Sequence, residues 1–170
     1  MIEYLVKVDG SKTEWYFNGK RHREDGPAIE YANGHKEWYL NGKRHRINGP
    51  AIKRLNGNKI WYLNGLLHRE DGPAVICANG DKQWYLNGKC HREDGPAMIW
   101  KNGVKKWYLN NKLHRIDGPA IEWWNGTKSW YLNGEEVTEE DVMGKSDKVY
   151  TKEDLKNMTI KDFVKIFNNC

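Results

Sequence analysis

An elongated, single-layer antiparallel β-sheet of stacked hairpins, closed by a short α-helical C-terminal segment, is the fold class that this 170-residue sequence predicts. Three observations carry that expectation. Tryptophan recurs every 23 residues, at Trp15, Trp38, Trp61, Trp84, Trp107 and Trp130. Asn-Gly pairs, the strongest short hairpin signal, punctuate each period twice, as at Asn33-Gly34 and Asn41-Gly42. The segments between them, such as "AIEYA" and "HKEWYL", are short and rich in aromatic or β-branched residues, as half-buried strands are.

The period divides the chain into residues 1–14, an N-terminal capping half-repeat, then 15–134, five full repeats and the start of a sixth, then 135–170, a helical segment. Within "WYL" the Trp and Leu fall on one face and the Tyr on the other, and Ile29 and Tyr31 share a face with Glu30 opposite. Both Asn-Gly pairs are expected to adopt type I′ turns, and Asn110-Asn111 to preserve one because Asn tolerates the left-handed region. A lone hairpin is marginal in water, so the repeats must stack, the six tryptophans forming the core that joins them. Two strands per repeat advance the stack by about 10 Å, and five repeats span on the order of 50 Å.

The other invariant of the period is a turn. It reads His22, Asp25, Gly26, Pro27 in the first repeat, then His45, Asn48, Gly49, Pro50 and His68, Asp71, Gly72, Pro73. The fourth and fifth copies are His91, Asp94, Gly95, Pro96 and His114, Asp117, Gly118, Pro119. Asx, Gly and Pro in succession describe a structural turn that delivers the chain into the next strand, where Pro need not donate to the ladder. Ala28 and its equivalents are small because a neighbouring backbone or ring packs close. The His is expected to donate to a nearby carbonyl, and the Arg after it to stack on an aromatic ring of the next repeat or pair with an acid.

The same residues exclude the chemistry that His, Arg and Asp together suggest. Asn48 stands in the acidic position of the second repeat, where it can hydrogen-bond but cannot serve as a carboxylate base. Histidines about 10 Å apart cannot share one zinc ion, whose ligands lie within about 4 Å of one another. No nucleophile, metal or phosphate-loop motif occurs, so no catalytic, cofactor or metal residues are assigned and no enzyme activity is expected.

The period of 23, the "NGK-x-H" segment and the aromatic before Asn-Gly resemble MORN repeats, which form elongated sheets of hairpins. MORN units have a Gly directly after the His or acidic position and a shorter gap between turns. The chain is closer to the W-Y-x-N-G-x-x-H-R-x-D-G-P-A repeats of phages and large DNA viruses. The resemblance covers roughly residues 2–137. It implies a fold and no activity, and MORN relatives are mostly interaction scaffolds, with lipid binding sometimes attributed to them.

Charge and composition bound the partner. Residues 1–134 carry 22 basic and 14 acidic groups, net +8, and residues 135–170 carry nine acids and six lysines, net −3. A basic, aromatic body leaves two readings. The first is a non-enzymatic scaffold for protein–protein interaction, an accessory viral factor acting on a host protein in the cytoplasm. The second is binding of an anionic ligand, nucleic acid or phospholipid headgroup. The contact residues expected are Arg23, Arg46, Arg69, Arg92 and Arg115, with Trp100, Trp123 and Trp124 in the variable strands. Three cysteines at unrelated spacings fit a reducing compartment, and no basic-then-apolar leader or membrane-spanning run is present in the sequence.

The last segment changes to helix signals. Thr138-x-x-Asp141, Thr151-x-x-Asp154 and Thr159-x-x-Asp162 each read as helix starts, and Ile160, Phe163, Val164 and Phe167 mark one apolar face. These helices are expected to fold back as a cap, with docking to a partner the alternative.

Overall fold

The computed structural model describes residues 3–146. Among them, fourteen strands form one continuous antiparallel sheet whose path runs open from one end of the chain to the other. It begins with β1 (Leu5–Asp9) against β2 (Lys12–Phe17), which β3 (Lys20–Arg21) and β4 (Ile29–Tyr31) flank. β4 pairs with β5 (Lys36–Glu37), and β5 with the first strand of the next repeat, Ile52–Lys53. The pattern then repeats to Lys128–Leu132 and Glu135–Val137. Two strands per repeat are added, as the period predicts.

The sheet is not one plane of long hairpins. After β5 the chain breaks at Trp38 and resumes as β6 (Tyr39–Leu40), which pairs only with β7 (Lys43–Arg44). Trp38 turns its backbone in two directions: its N–H donates to Ala51 O of the same repeat at 2.8 Å, and its carbonyl accepts from His45 N–H at 3.1 Å. The small hairpins are themselves linked, Gly65 N–H to Arg44 O at 2.8 Å and Arg46 N–H to Tyr62 O at 3.1 Å. Each repeat thus contributes to two adjoining rows. In the terminal strands Lys12–Phe17 and Lys128–Leu132 the chain passes through its Trp without interruption.

The two Asn-Gly turns of a repeat differ, because loop length selects turn type. Leu40 pairs with Lys43 across two residues, and there Asn41 and Gly42 both have positive φ, 51° and 81°, as a type I′ turn requires. Between Tyr31 and His35 three residues intervene, and only Gly34 crosses to positive φ, 87°. This second turn does not adopt type I′. Gly34 N–H returns to Tyr31 O, and Asn33 instead uses its side chain, Oδ1 accepting from His35 N–H at 3.0 Å. Asn110-Asn111 keeps the two-residue turn with φ of 50° and 68°, as expected for Asn.

The most buried positions are small. Ala28, Ala51, Ala74, Ala97 and Ala120 are each 0% exposed, beside Ile29, Ile52 and Ile121. Each alanine accepts the N–H of a Trp, which brings backbone against it. The helix α1 (Glu139–Ser146) follows the last strand, with Val142 buried. Its start is a reciprocal box: Thr138 Oγ1 accepts from Asp141 N–H at 3.2 Å, and Asp141 Oδ2 accepts from Thr138 N–H at 3.0 Å. The helix starts expected at Thr151 and Thr159, and the apolar face of Ile160, Phe163, Val164 and Phe167, lie outside the described residues.

Because no space surrounds the alanine row, Ala74→Leu should destabilise the protein by about 1–3 kcal/mol in urea unfolding. An unchanged midpoint would show that the repeats are not closely packed there.

Candidate functional site

The conserved geometry of the turn is built by three residues of each repeat. The histidine reaches forward. His22 Nδ1 accepts the N–H of Asn41, in the type I′ turn of the following repeat, at 3.0 Å. The same bond joins His45 to Asn64, His68 to Asn87, His91 to Asn110 and His114 to Asn133, at 3.0–3.3 Å. The Asn41 side-chain oxygen also lies 2.9 Å from His22 Nδ1. One lone pair serves one donor, and the fivefold recurrence of the backbone contact assigns it to the N–H. The imidazole is therefore an acceptor rather than the donor expected, with its proton on Nε2. That nitrogen lies 3.4–3.6 Å from the carboxylates of Glu24, Glu70 and Glu93 in three repeats. Ile47 and Ile116 stand at this position in the other two.

The arginine turns back instead of forward. Arg23, Arg46, Arg69, Arg92 and Arg115 lie 3.9–4.1 Å over Trp15, Trp38, Trp61, Trp84 and Trp107, the tryptophans of their own repeats. Stacking on the next repeat, as the sequence suggested, is precluded because the turn folds the guanidinium onto the strand that precedes it. In four repeats Arg Nε donates to the Asp two residues on, at 2.8–2.9 Å. Nη1 donates to the Pro carbonyl in all five. The Asp is thus an arginine partner, and the guanidinium holds the carboxyls of Asp25, Asp71 and Asp94 below their usual range. The second repeat departs from this. Arg46 bonds only Pro50 O, and Gly49 takes φ of 132°, a value that the equivalent glycines do not share. Gly26, Gly72, Gly95 and Gly118 instead sit close beneath their arginines, where a Cβ would meet the guanidinium at 2.8–3.2 Å.

Register divides the expected contact residues between two faces. Lys53 lies over Trp38 and Arg115 bonds Glu122, so the Arg–Trp pairs share the face that carries Glu30, Lys36, Lys53, Lys59, Lys82, Lys105, Glu122 and Lys128. This lysine row was not assigned from the sequence, although Lys36, Lys59, Lys82, Lys105 and Lys128 keep the 23-residue step. Ile76 and Ile99 interrupt the lysine row, and the opposite face carries Ile29, Ile52, Ile60, Val75, Met98 and Ile121. On it Glu37 is buried under His35 Nε2, Tyr39 Oη and Arg44 Nε at 2.8, 2.8 and 3.1 Å. Burial pushes the Glu37 carboxyl up, but these three partners outweigh it and hold the group below its usual value. Arg44 also lies between the Tyr39 and Tyr62 rings. Cys90, buried opposite Tyr85, has its thiol pushed up to about 12 by burial and is an inert part of the packing.

Trp100 and Trp123 lie on this second face, flanking Lys106, whose Nζ is 5.5 and 5.2 Å from the two rings. Trp124 follows in the turn and is 71% exposed. The structure therefore brings Trp100 and Trp123 together around Lys106, on the face opposite the five arginines, with Trp124 next to Trp123 in the turn. All six periodic tryptophans are half-buried, five of them beneath their arginines. Among the described residues, no three His, Cys, Asp or Glu side chains converge as metal ligands would, and no helix is long and apolar enough to cross a membrane.

Two predictions follow from this packing. His22→Leu leaves Asn41 N–H without its acceptor and should cost about 1–2 kcal/mol in urea unfolding; equal stability would show that water replaces the ring. Acid should destabilise the protein in two stages. Burial lowers the His114 pKa, so the unfolded chain binds that proton more readily. Its contribution is present above the usual imidazole value, about 6.5, and is lost as pH falls below it. Glu37, also lowered, contributes above the usual carboxylate range, and that contribution is lost as pH falls through its folded value. Thermal melts from pH 8 to pH 3 should show both losses, the first removed by His114→Gln.

The chain is a repeat protein of stacked antiparallel β-hairpins, an architecture of MORN-like form. No protein-family model matches it, and no curated protein is detectably similar.

Proposed function

We propose that the protein is a non-enzymatic scaffold that binds another protein through the variable positions of its sheet. The observation that carries this reading is the aromatic patch late in the array. At the end of the first strand of each repeat stand Tyr31, Arg54, Cys77, Trp100 and Trp123 in turn, on one framework. Where the framework residues repeat, these differ, and in the last repeat Trp123 and Trp124 are left 38% and 71% exposed. Exposed tryptophans beside a lysine suit the buried centre of a protein interface, where aromatic residues concentrate.

The alternative, phosphate binding by the arginine row, is weakened by the same geometry. Four of the five arginines already hold a carboxylate on Nε. An enzymatic reading has no support in a repeated turn whose His, Arg and Asp all bond their own framework. Within this proposal the partner is a host protein of the cytoplasm, a reading that the resemblance to phage and large-virus repeats supports.

Capture from host lysate on the full chain, compared with Trp123→Ala and Trp124→Ala, tests the reading. Partner recovery should fall at least tenfold for Trp124→Ala, an interface hot-spot effect, with thermal stability changed by no more than about 0.5 kcal/mol. Recovery of nothing above background, or equal recovery by the variants, would refute it.

A further inference from the structure

The second repeat inverts the charge balance of the repeated turn and the strand that follows it. Residues 22–30 hold one arginine against three carboxylates, net −2, and residues 68–76, 91–99 and 114–122 are each net −1. Residues 45–53 hold Arg46 and Lys53 with no acid, net +2. All three acids of the first repeat are replaced at once: Glu24 by Ile47, Asp25 by Asn48 and Glu30 by Lys53. In the first repeat Asp25 and Glu30 both face Arg23, at 2.9 and 3.6 Å. Arg46 has neither, and its Nε, the atom that binds Asp in the other four repeats, has no acceptor among the described residues.

The surroundings compound this. Lys53 lies directly opposite Lys36 on one side and Lys59 on the other. Side chains so paired stand about 5 Å apart at Cβ, where like charges repel and destabilise a sheet. No ion pair engages any of the three among the described residues. Lys53 and Arg46 converge on one ring, Trp38, at 5.6 and 3.9 Å. Arg46 keeps the ring and Pro contacts of the framework, and Glu30 stands opposite Lys36 alone, so Arg46 Nε, Lys53 and Lys59 form a basic cluster open to a counter-charge from outside.

We infer that the second repeat is an acceptor site for an acidic segment of a partner protein, whose carboxylate binds Arg46 beside Trp38 while Lys53 and Lys59 hold neighbouring acids. A carboxylate is favoured over a phosphate because the other repeats display the bond in question: Arg Nε to a carboxylate oxygen at 2.8–2.9 Å, with the guanidinium stacked on Trp and its Nη1 fixed on the Pro carbonyl. The second repeat keeps the stacked ring and the Pro bond and lacks only the acid. The site rests on the scaffold reading and lies on the face opposite Trp100 and Trp123, so it is a separate contact.

The test is fluorescence anisotropy of the full chain at low salt with a labelled hexaglutamate peptide and, in parallel, a twelve-residue oligothymidine. The peptide should bind, and its Trp38 indole N–H should shift in NMR spectra. Asn48→Asp, which supplies the missing carboxylate internally, and Lys53→Glu should each weaken binding on the order of tenfold. Lys128→Glu, the same charge change at the far end of the lysine row, should alter it by no more than about twofold. Thermal melts check that Asn48→Asp is as stable as the parent protein. Absence of peptide binding, or equal losses with Lys53→Glu and Lys128→Glu, would overturn the site. Tighter binding of oligothymidine, lost with the same two substitutions, would replace the carboxylate with phosphate. Loss of this site with lysate capture intact leaves the scaffold standing, and intact peptide binding with no captured partner removes the scaffold alone.

Discussion

The bond from His Nδ1 to the N–H of Asn, 19 residues on, is the contact on which the array depends. A two-residue hairpin such as Tyr39–Leu40 with Lys43–Arg44 cannot persist alone. The histidine fastens the turn of each hairpin to the repeat before it, while the backbone bonds from Gly42 to Arg21 O and from Arg23 to Tyr39 O close the same junction. One of these three bonds uses the imidazole as an acceptor, which is the physical reason a histidine recurs at every junction.

The arginine and aspartate form a second closed system. Arg23 is held by a ring, a carboxylate and a carbonyl, so its charge is spent within the repeat. The repeats differ elsewhere: in the strand-end series that leads to Trp123, and in the second repeat, where the acids are missing. Repetition makes these departures readable, since each repeat serves as the reference for the next.

Much of the fold was legible from residue order because turns and strands are local. A step of 23 residues, two Asn-Gly pairs and alternating apolar positions specify hairpins and their number, and Thr138 with Asp141 specifies a helix start. The site was less legible. Asn33 and Asn41 are the same residue before the same glycine, yet only Asn41 takes positive φ, because the strand register leaves two residues in one loop and three in the other. Trp38 reads as mid-strand, but it has no strand partner such as Val6 opposite Trp15 or Val137 opposite Trp130, and the strand breaks there.

The sequence by itself determined the repeat, its length, the hairpin content and the turn positions, all of which depend on residues a few places apart. Only the tertiary structure decided the direction of each side chain in the turn and the faces on which charge and aromatic surface lie. His22 and Arg23 are adjacent, yet one reaches the following repeat and the other folds onto its own tryptophan. Lys36, Lys53 and Lys59 are spread over 24 residues and meet only through cross-strand register. Pairing between strands, rather than order along the chain, sets those distances. It is what makes the repeated His, Arg, Asx, Gly and Pro a joint, and within the proposal makes its one acid-free copy a site.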